Sequence, residues 1–467
     1  MRPGRAARLT AQAGPGVLLV TPEPLGERMA GPAIRCLELG RALARTGRTG
    51  PVTVASLTAA TLTDPGVEVV DAADAAVLRK LVARVGSVVV QGDVLGLHPW
   101  LADLDVPLVV DAYDPFHLEQ LEQGRELGEA RRRAVVRDAV RALAVQLSRA
   151  DLVLCASERQ RAMWIGHLAA LGRVNPVVYD ASPDLSALVA VVPFGAPDSP
   201  ARPGDRAAVA AAIPNLAPGD RIVLWGGGIY DWFDPGTVIR AVGRLAVDRP
   251  DLKLLFLGTR HPAQGGVGAA TAGRARALAD DLGLLGTVVH FHEGWVPHGD
   301  RDRWMSAATV AVSAHLRHLE TEFSYRTRLV DYLWCGLPVV TTAGDELAAL
   351  VAASGAGTAV PPGDDDAYTA ALAALLDDDA RREAAVAAAL AAGRALAWSR
   401  AVAPLADFCA APRRAPDLVL DAADRELLGV RAPRRTTASL RARVGAALRE
   451  GGLRLLLDRL RRRLVRR

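Results

Sequence analysis

Short runs of consecutive apolar residues alternate with longer helical patterns along the first part of the chain. Because these runs are apolar throughout rather than at every second position, they predict strands that are buried on both faces, as in a parallel sheet. The helical patterns between them, for example at 33–46 and 126–149, complete a doubly wound α/β lobe. The predicted strands are VLLV at 17–20, VTVA at 52–55, VEVV at 67–70, SVVVQ at 87–91, PLVVD at 107–111 and DLVLC at 151–155.

The same pattern restarts after a segment rich in Pro, Gly and Asp at 191–205, which predicts a linker between domains. Alanine-rich helices at about 366–397 close this second α/β lobe. Two such lobes leave a cleft between the carboxyl ends of their strands, where sheets of this class bind ligands. The strands predicted for the second lobe are RIVLW at 221–225, LKLLFL at 252–257, TVVHF at 287–291, ATVAVS at 308–313 and LPVVT at 337–341.

Length and composition agree with this organisation. A chain of 467 residues, half of them apolar, predicts two or three domains with large cores. The predicted parts are a flexible N-terminus over 1–15, a first lobe over 16–200, a second lobe with a return helix over 201–410, and a linker with a basic tail over 411–467.

The N-terminal segment and the cysteines indicate a reducing compartment. The first residues lack the continuous apolar segment of a signal peptide, and no run approaches the roughly 20 apolar residues of a membrane helix. The cysteines are scattered without the spacing of a zinc site. We therefore expect a cytoplasmic protein, free or bound at the inner face of the membrane. The four cysteines are Cys36, Cys155, Cys335 and Cys409.

The positive charge is concentrated at the C-terminal end. Residues 434–467 contain twelve arginines against only Glu450 and Asp458, whereas the whole chain has a formal net charge of +4. The rest of the chain is therefore mildly acidic, and the tail is a separate element with its own anionic partner. Its leucines recur mostly every fourth residue, which is typical of a basic amphipathic helix. A solvated charged end is the alternative; nucleic acid is disfavoured because no aromatic residues are interleaved for base stacking.

Two segments together resemble a known family. The stretch at 303–364 runs from a helix and strand into the acidic loop HLETEF at 318–323 and then into CGLPVV at 335–340. GPAIRCLELGRALA at 31–44 is a Gly-rich turn followed by a helix. In order and spacing these segments resemble glycosyltransferase family 4, and the resemblance covers roughly residues 15–410. It implies the GT-B fold, with two Rossmann-like lobes facing a central cleft, and transfer of a sugar from a nucleotide sugar with retention and without a metal or other cofactor.

The resemblance also implies residues that bind the donor sugar nucleotide. Asp331, four residues before Cys335, stands where the family has a glutamate that binds the ribose. The family's other acid falls on Phe323, so that Glu322, one place away, is the candidate and the motif is shifted or relaxed; Glu320 lies three places away. A helix-surface carboxylate paired with Arg328 remains the alternative for Asp331.

The basic pair that the family uses for the diphosphate is missing after the first strand of the second lobe. Its place is taken by a glycine-rich turn, where backbone N–H groups could approach phosphate; a plain tight turn is the alternative. Arg326 and Arg328 are the candidate cations for catalysis, unless they only neutralise the neighbouring glutamates. The turn consists of Gly226, Gly227 and Gly228.

In the first lobe, Gly31 and Pro32 predict a turn at the cleft, with Arg35 one helical turn further on, and these three are the acceptor-side candidates. Asp114 and His117 follow the strand at 107–111 and are the other candidate catalytic residues. The family's aspartate falls on Asp114, whereas His117 only neighbours the position of its histidine. Helix capping by Asp114, with a proline at the first helical position, is the alternative.

Two other functions stay open beside the transferase. A nucleotide-sugar epimerase on the same fold would need no second substrate, and a catalytically silent binding subunit would fit the missing basic pair. The predicted partners of the transferase are a nucleotide sugar, a lipid-linked or glycan acceptor and an anionic membrane surface. The sequence leaves the sugar, the nucleotide and the acceptor undetermined.

Removing the tail tests its predicted role. Each arginine near an anionic leaflet contributes on the order of 1 kcal/mol, screened over a Debye length of about 8 Å at physiological salt. The full chain is therefore expected to co-sediment with anionic vesicles at low salt, and a chain ending at residue 433 is expected to stay in the supernatant. Equal sedimentation of the two chains would contradict a membrane role for the tail.

Overall fold

The computed structural model describes residues 15–258, 269–294 and 296–430. The predicted flexible N-terminus, up to residue 14, and the basic tail from residue 431 lie outside the described residues. The described chain forms two parallel β-sheets with helices on their faces. Both sheets belong to one compact unit that extends to Arg431.

The first lobe contains a seven-stranded parallel sheet in the order β3-β2-β1-β4-β5-β6-β7. Strand β1 pairs with β2 on one side and with β4 on the other, so that Val17 lies opposite Val52 and Ser87. The strand order reverses at β1, and such a switch point opens a crevice at the carboxyl ends of the strands. The strands are β1 Val17–Thr21, β2 Val52–Ser56, β3 Glu68–Asp71, β4 Ser87–Gln91, β5 Leu108–Asp111, β6 Leu152–Cys155 and β7 Val189–Val191.

Seven α-helices connect these strands. Helix α1 starts with a proline in its first turn and ends at Gly47 in the left-handed region, the usual start and stop signals of a helix. The helices are α1 Gly31–Thr46, α2 Ala75–Val82, α3 Val94–Leu97, α4 Phe116–Gln123, α5 Glu129–Arg149, α6 Glu158–Ala170 and α7 Pro176–Ala181, with 3₁₀ turns at Pro99–Asp103 and Gly124–Glu126.

The second lobe contains a six-stranded parallel sheet in the order β10-β9-β8-β11-β12-β13. Its strands are β8 Arg221–Gly226, β9 Leu252–Leu257, β10 Val289–Phe291, β11 Val310–Ser313, β12 Val339–Thr342 and β13 Gly357–Val360. Its helices are α8 Arg206–Ala212, α9 Pro235–Ala246, α10 Ala269–Asp281, α11 Arg301–Met305, α12 Leu319–Phe323, α13 Thr327–Trp334, α14 Glu346–Ser354, α15 Asp365–Asp377 and α16 Asp379–Ala395, with a 3₁₀ turn at His298–Asp300.

Each predicted strand is present, and the structure adds β7 and β13. Strand β7 has three residues and ends at Val191, where the predicted linker begins. Strand β13 lies at the edge of the second sheet, beside β12. Gly357 opens it because a Cβ there would lie 1.8 Å from the carbonyl oxygen of Val339 on the neighbouring strand.

After α16 the chain returns to the first lobe through α17 Trp398–Ala401, α18 Ala403–Ala410 and α19 Ala422–Leu427, with a 3₁₀ turn at Pro416–Leu418. Trp398 packs on Phe194 with ring centroids 5.2 Å apart. The segment after 410, predicted as a linker, is also fixed there. Asp417 is fully buried and pairs with Arg173 at 2.6 Å, so the first part of this segment belongs to the first lobe.

Candidate active site

One cavity of ≈ 520 Å³ lies between the two lobes. Residues that follow β1, β4 and β5 line its first-lobe side, and residues that follow β8 and β9 line its second-lobe side. The loops that leave the carboxyl ends of both sheets therefore meet around one space. This is where the order of the strands predicts a ligand site.

The glycine-rich turn after β8 lies against Arg328. Arg328 donates from Nη2 to the carbonyl oxygen of Gly228 at 2.7 Å, and its guanidinium stacks 4.1 Å from the ring centroid of Phe233. No carboxylate among the described residues pairs with Arg328, and its buried Nη1 has no hydrogen-bond partner there. Burial lowers the pKa of Arg328 to about 10, so the group is still a cation at neutral pH. A cation with a free donor beside a glycine-rich turn is suited to bind an anion.

Arg326 differs from Arg328 because it already has a carboxylate. Its Nη1 and Nη2 donate to the two carboxylate oxygens of Glu320 at 2.8 and 2.6 Å, and both side chains are buried. The interpretation that an arginine here neutralises an acidic neighbour is therefore correct for Arg326. Such a bidentate pair leaves little positive charge for a ligand.

Glu320, and not Glu322, lines the cavity. Residues two apart on a helix point to opposite faces, and on α12 Glu320 is 2% exposed and lines the cavity, whereas Glu322 is exposed and does not. The spacing of the motif favours Glu322, whereas the phase of the short helix α12 turns Glu320 toward the cavity.

Asp331 lines the cavity and pairs with Arg301 rather than with Arg328. Arg301 donates from Nε to Asp331 Oδ1 at 3.2 Å, and its guanidinium lies 5.0 Å from the ring centroid of Trp334. Arg301 is a site residue that the sequence did not reveal. It lies 30 positions before Asp331 outside any motif, and only the packing of α11 beside α13 brings the two together.

Arg301 also connects Asp331 to the first lobe. Its Nη1 lies 3.1 Å from His298 Nε2, which in turn lies 3.5 Å from Oε1 of Glu38 on α1. Burial opposes ionisation of Glu38, but the hydrogen bond from His298 and the charge of Arg41 lower its pKa to about 2. A chain of polar contacts thus runs from α1 across the lobe boundary to Asp331.

Asp114 and Glu119 form a carboxyl pair on the first-lobe side of the cavity. Burial, chiefly, raises the pKa of Asp114 to about 6. Burial, followed by the charge of Asp114, raises the pKa of Glu119 well above its usual value. Helix α4 has Pro115 as its N-cap, without a side-chain cap. The capping alternative for Asp114 is therefore wrong.

His117 does not line the cavity. Its ring packs 5.7 Å from the ring of Trp164 on α6, and burial, followed by the charge of His167, lowers its pKa to about 4. The residue is neutral at physiological pH and belongs to the packing between α4 and α6. The catalytic role predicted from its neighbourhood to Asp114 does not fit this position.

Gly31 and Pro32 line the cavity as predicted, but Arg35 lies beneath it. Arg35 is fully buried and donates from Nε and Nη2 to both carboxylate oxygens of Asp111, each at 2.8 Å. It also stacks 4.5 Å from the ring centroid of Tyr113. The side chain therefore holds α1 against the end of β5 instead of reaching an acceptor.

The described residues also bear on metal binding, membrane spanning and disulfide bonding. Among the described residues, no group of three or more His, Cys, Asp or Glu side chains could hold a metal ion. Within the described ranges no helix is both long and apolar enough to cross a membrane. The four cysteines are free thiols, three of them buried.

The geometry agrees with the comparisons to known proteins. Residues 220–378 match the family model for glycosyl transferases group 1. The chain is a glycosyltransferase. The match covers the second lobe and does not reach the narrower family 4, which stays a prediction. No curated protein matches the chain.

Solved structures of GT-B glycosyltransferases resemble this glycosyltransferase over most of its length. HepE from Anabaena in complex with UDP and glucose is 14% identical, covers 85% of this chain and 99% of its own, and has a TM-score of 0.60. WaaG, which is involved in lipopolysaccharide biosynthesis, is 18% identical over 84% and 99%, with a TM-score of 0.59. Sucrose-phosphate synthase from Thermosynechococcus elongatus is 18% identical over 84% and 98%, with a TM-score of 0.58. These likenesses confirm the predicted GT-B fold.

The carboxyl pair predicts a pH dependence of stability. The pKa of Asp114 is raised in the folded state. Its contribution to the free energy of unfolding is therefore fully present below the pKa of the unfolded chain, near 4, and is lost as the pH rises through about 6. Asp114→Asn stays neutral and escapes this loss. We expect its melting temperature to match the parent near pH 4 and to exceed it at pH 8.

The exposed Asp180 on α7 provides the control. Asp180→Asn should shift the melting temperature equally at both pH values. A parallel pH profile for Asp114→Asn and the parent would show that Asp114 ionises normally in the folded protein.

Proposed function

We propose that this glycosyltransferase moves a sugar, with retention, from a nucleoside diphosphate sugar in the interlobe cavity to a saccharide acceptor. The observation that carries the proposal is the buried guanidinium of Arg328, which has no carboxylate partner among the described residues and lies beside the glycine-rich turn. A diphosphate is the part of the donor that needs such a cation. HepE, which has the same fold, was solved with UDP and glucose.

The other proposed donor-binding residues line the same cavity as Arg328. The backbone of Gly226, Gly227 and Gly228 supports the diphosphate next to Arg328, and Asp331 accepts hydrogen bonds from the ribose hydroxyls. Glu320, which lines the cavity, replaces Glu322 as the acid on the sugar side. Arg326 then acts through Glu320 by fixing the position of its carboxylate.

The proposed reaction needs no nucleophile from the protein. The bond between C1 of the sugar and the phosphate oxygen breaks, a bond from C1 to the acceptor oxygen forms on the same face, and the acceptor proton passes to the departing phosphate. The lobes supply orientation and stabilise the charge that develops on the diphosphate. Gly31, Pro32 and Asp114 line the side from which the acceptor enters.

We place the acceptor among glycans or lipid-linked saccharides at the inner face of the membrane, in the synthesis of cell-surface material. The basic tail in the sequence supports this setting because arginine-rich amphipathic segments bind anionic leaflets. WaaG, described as taking part in lipopolysaccharide biosynthesis, has the same fold.

Asp331→Ala tests the donor site by nucleotide binding. Loss of a hydrogen-bonded carboxylate costs roughly 1.5–3 kcal/mol, or about ten- to a hundred-fold in affinity. We expect this loss in titrations with UDP, GDP, ADP and TDP, for whichever nucleotide binds the parent. Glu322→Ala, an exposed acid outside the cavity, should keep the parent affinity. Equal affinity of a folded Asp331→Ala protein would remove the ribose assignment.

Arg328→Gln tests the assignment to the diphosphate. Removing one donor to a developing charge typically lowers kcat by about 10²–10³-fold, so release of nucleoside diphosphate should fall to that extent. Arg303→Gln alters an exposed arginine of α11 outside the cavity and should leave turnover unchanged. Normal turnover of Arg328→Gln, or a product whose anomeric configuration differs from the donor in the parent reaction, would contradict the proposal.

A further inference from the structure

The cavity divides its charges between the two lobes. Its arginines all come from the second lobe, namely Arg301, Arg326 and Arg328. On the first-lobe side the described lining residues include five carboxylates and no lysine or arginine. We call this side the acceptor wall. Its acids are Glu23, Asp93, Asp111, Asp114 and Glu119.

Four of these acids form no ion pair among the described residues, namely Glu23, Asp93, Asp114 and Glu119. Asp93 accepts a hydrogen bond from the backbone N–H of Gly96, and Asp111 is neutralised by Arg35. The missing counter-charge must come from shared protons or from a ligand, because unpaired carboxylates are costly to bury.

A glutamine adds to the surplus of hydrogen-bond acceptors. Gln146 on α5 lines the cavity and is 1% exposed, and its Oε1 has no hydrogen-bond partner among the described residues. Carboxyl groups accept hydrogen bonds in both protonation states. The acceptor atoms without a partner on the acceptor wall therefore favour a ligand that brings hydrogen-bond donors.

We infer that the acceptor wall recognises a polyhydroxylated acceptor end that carries hydroxyl or amino groups and no phosphate or carboxylate. Hydroxyl and ammonium groups donate hydrogen bonds to Glu23, Asp114, Glu119 and Gln146. A phosphate or uronate would bring negative charge to a wall that has five carboxyl groups and no lysine or arginine among its described lining residues. This inference rests on the proposed function, because it assigns the second substrate of the same cavity.

The distribution of charge in the cavity also determines on which side the donor and the acceptor bind. The anionic diphosphate is attracted to Arg328, which has no carboxylate partner among the described residues, and the described first-lobe lining offers it no cation. An acceptor without negative charge has no such preference for the arginines. The donor therefore orients with its sugar toward the acceptor wall, as transfer requires.

The test compares sugars that differ only in one charged group. The full chain is first saturated with the nucleoside diphosphate that binds it. Binding is then titrated with methyl glycosides, 2-amino sugars, 6-phosphates and uronates, each in gluco, galacto and manno form. We expect the neutral and amino sugars to bind about ten-fold or more tightly than the anionic ones, because like charges repel strongly in a partly buried site.

Variants show whether the acceptor wall causes this preference. Glu119→Gln and Asp114→Asn keep the hydrogen-bonding shape and remove an acid, so each should narrow the gap between neutral and anionic sugars. Glu122→Gln makes the same change on the same helix outside the cavity and should keep the gap. If one of the two cavity variants does not fold, the other provides the same test.

Anionic sugars that bind as tightly as the neutral ones would overturn the inference, as would the absence of binding by any of the sugars. The nucleotide titration that precedes this experiment separates the two proposals. If no nucleoside diphosphate binds, the proposed function fails. If one binds and the sugar preference is absent or reversed, only the acceptor assignment fails.

Discussion

A guanidinium held in a largely apolar setting without a carboxylate determines how this site is organised. Burial of Arg328 between aromatic rings lowers its pKa to about 10 but does not discharge it. The side chain is fixed by one carbonyl of the glycine-rich turn and keeps a donor free. Its neighbour Arg326, by contrast, is fully occupied by Glu320. Two arginines two positions apart thus have different chemistry, because among the described residues only Arg326 has an acid within reach.

The rest of the second-lobe side is arranged by further ion pairs. Arg301 orients the carboxylate of Asp331 and contacts His298, which reaches Glu38 in the first lobe. The relative position of the lobes and the position of Asp331 therefore depend on the same chain of contacts. Under the proposed role of Asp331, this links donor binding to the closeness of the lobes, since both substrates must meet in the cleft between them.

The first lobe contributes the opposite charge. Arg35 neutralises Asp111 from below, and no basic side chain of the described first lobe lines the cavity beside Asp114 and Glu119. In the proposed function, Arg328 on one side and the carboxyl groups on the other distinguish an anionic leaving group from an uncharged acceptor by electrostatics.

The sequence by itself determined the two-lobed parallel α/β architecture, because burial on both faces of a strand requires an unbroken apolar run that can be read directly. The glycine-rich turn was predicted from the strand before it and Asp331 from the resemblance to glycosyltransferase family 4, and both line the cleft. Tertiary structure alone decided between Glu320 and Glu322, added Arg301, and turned His117 and Arg35 away from the cavity. Those choices depend on helix phase and on contacts between residues far apart in the chain, and neither spacing nor composition encodes which face of a short helix meets the cleft.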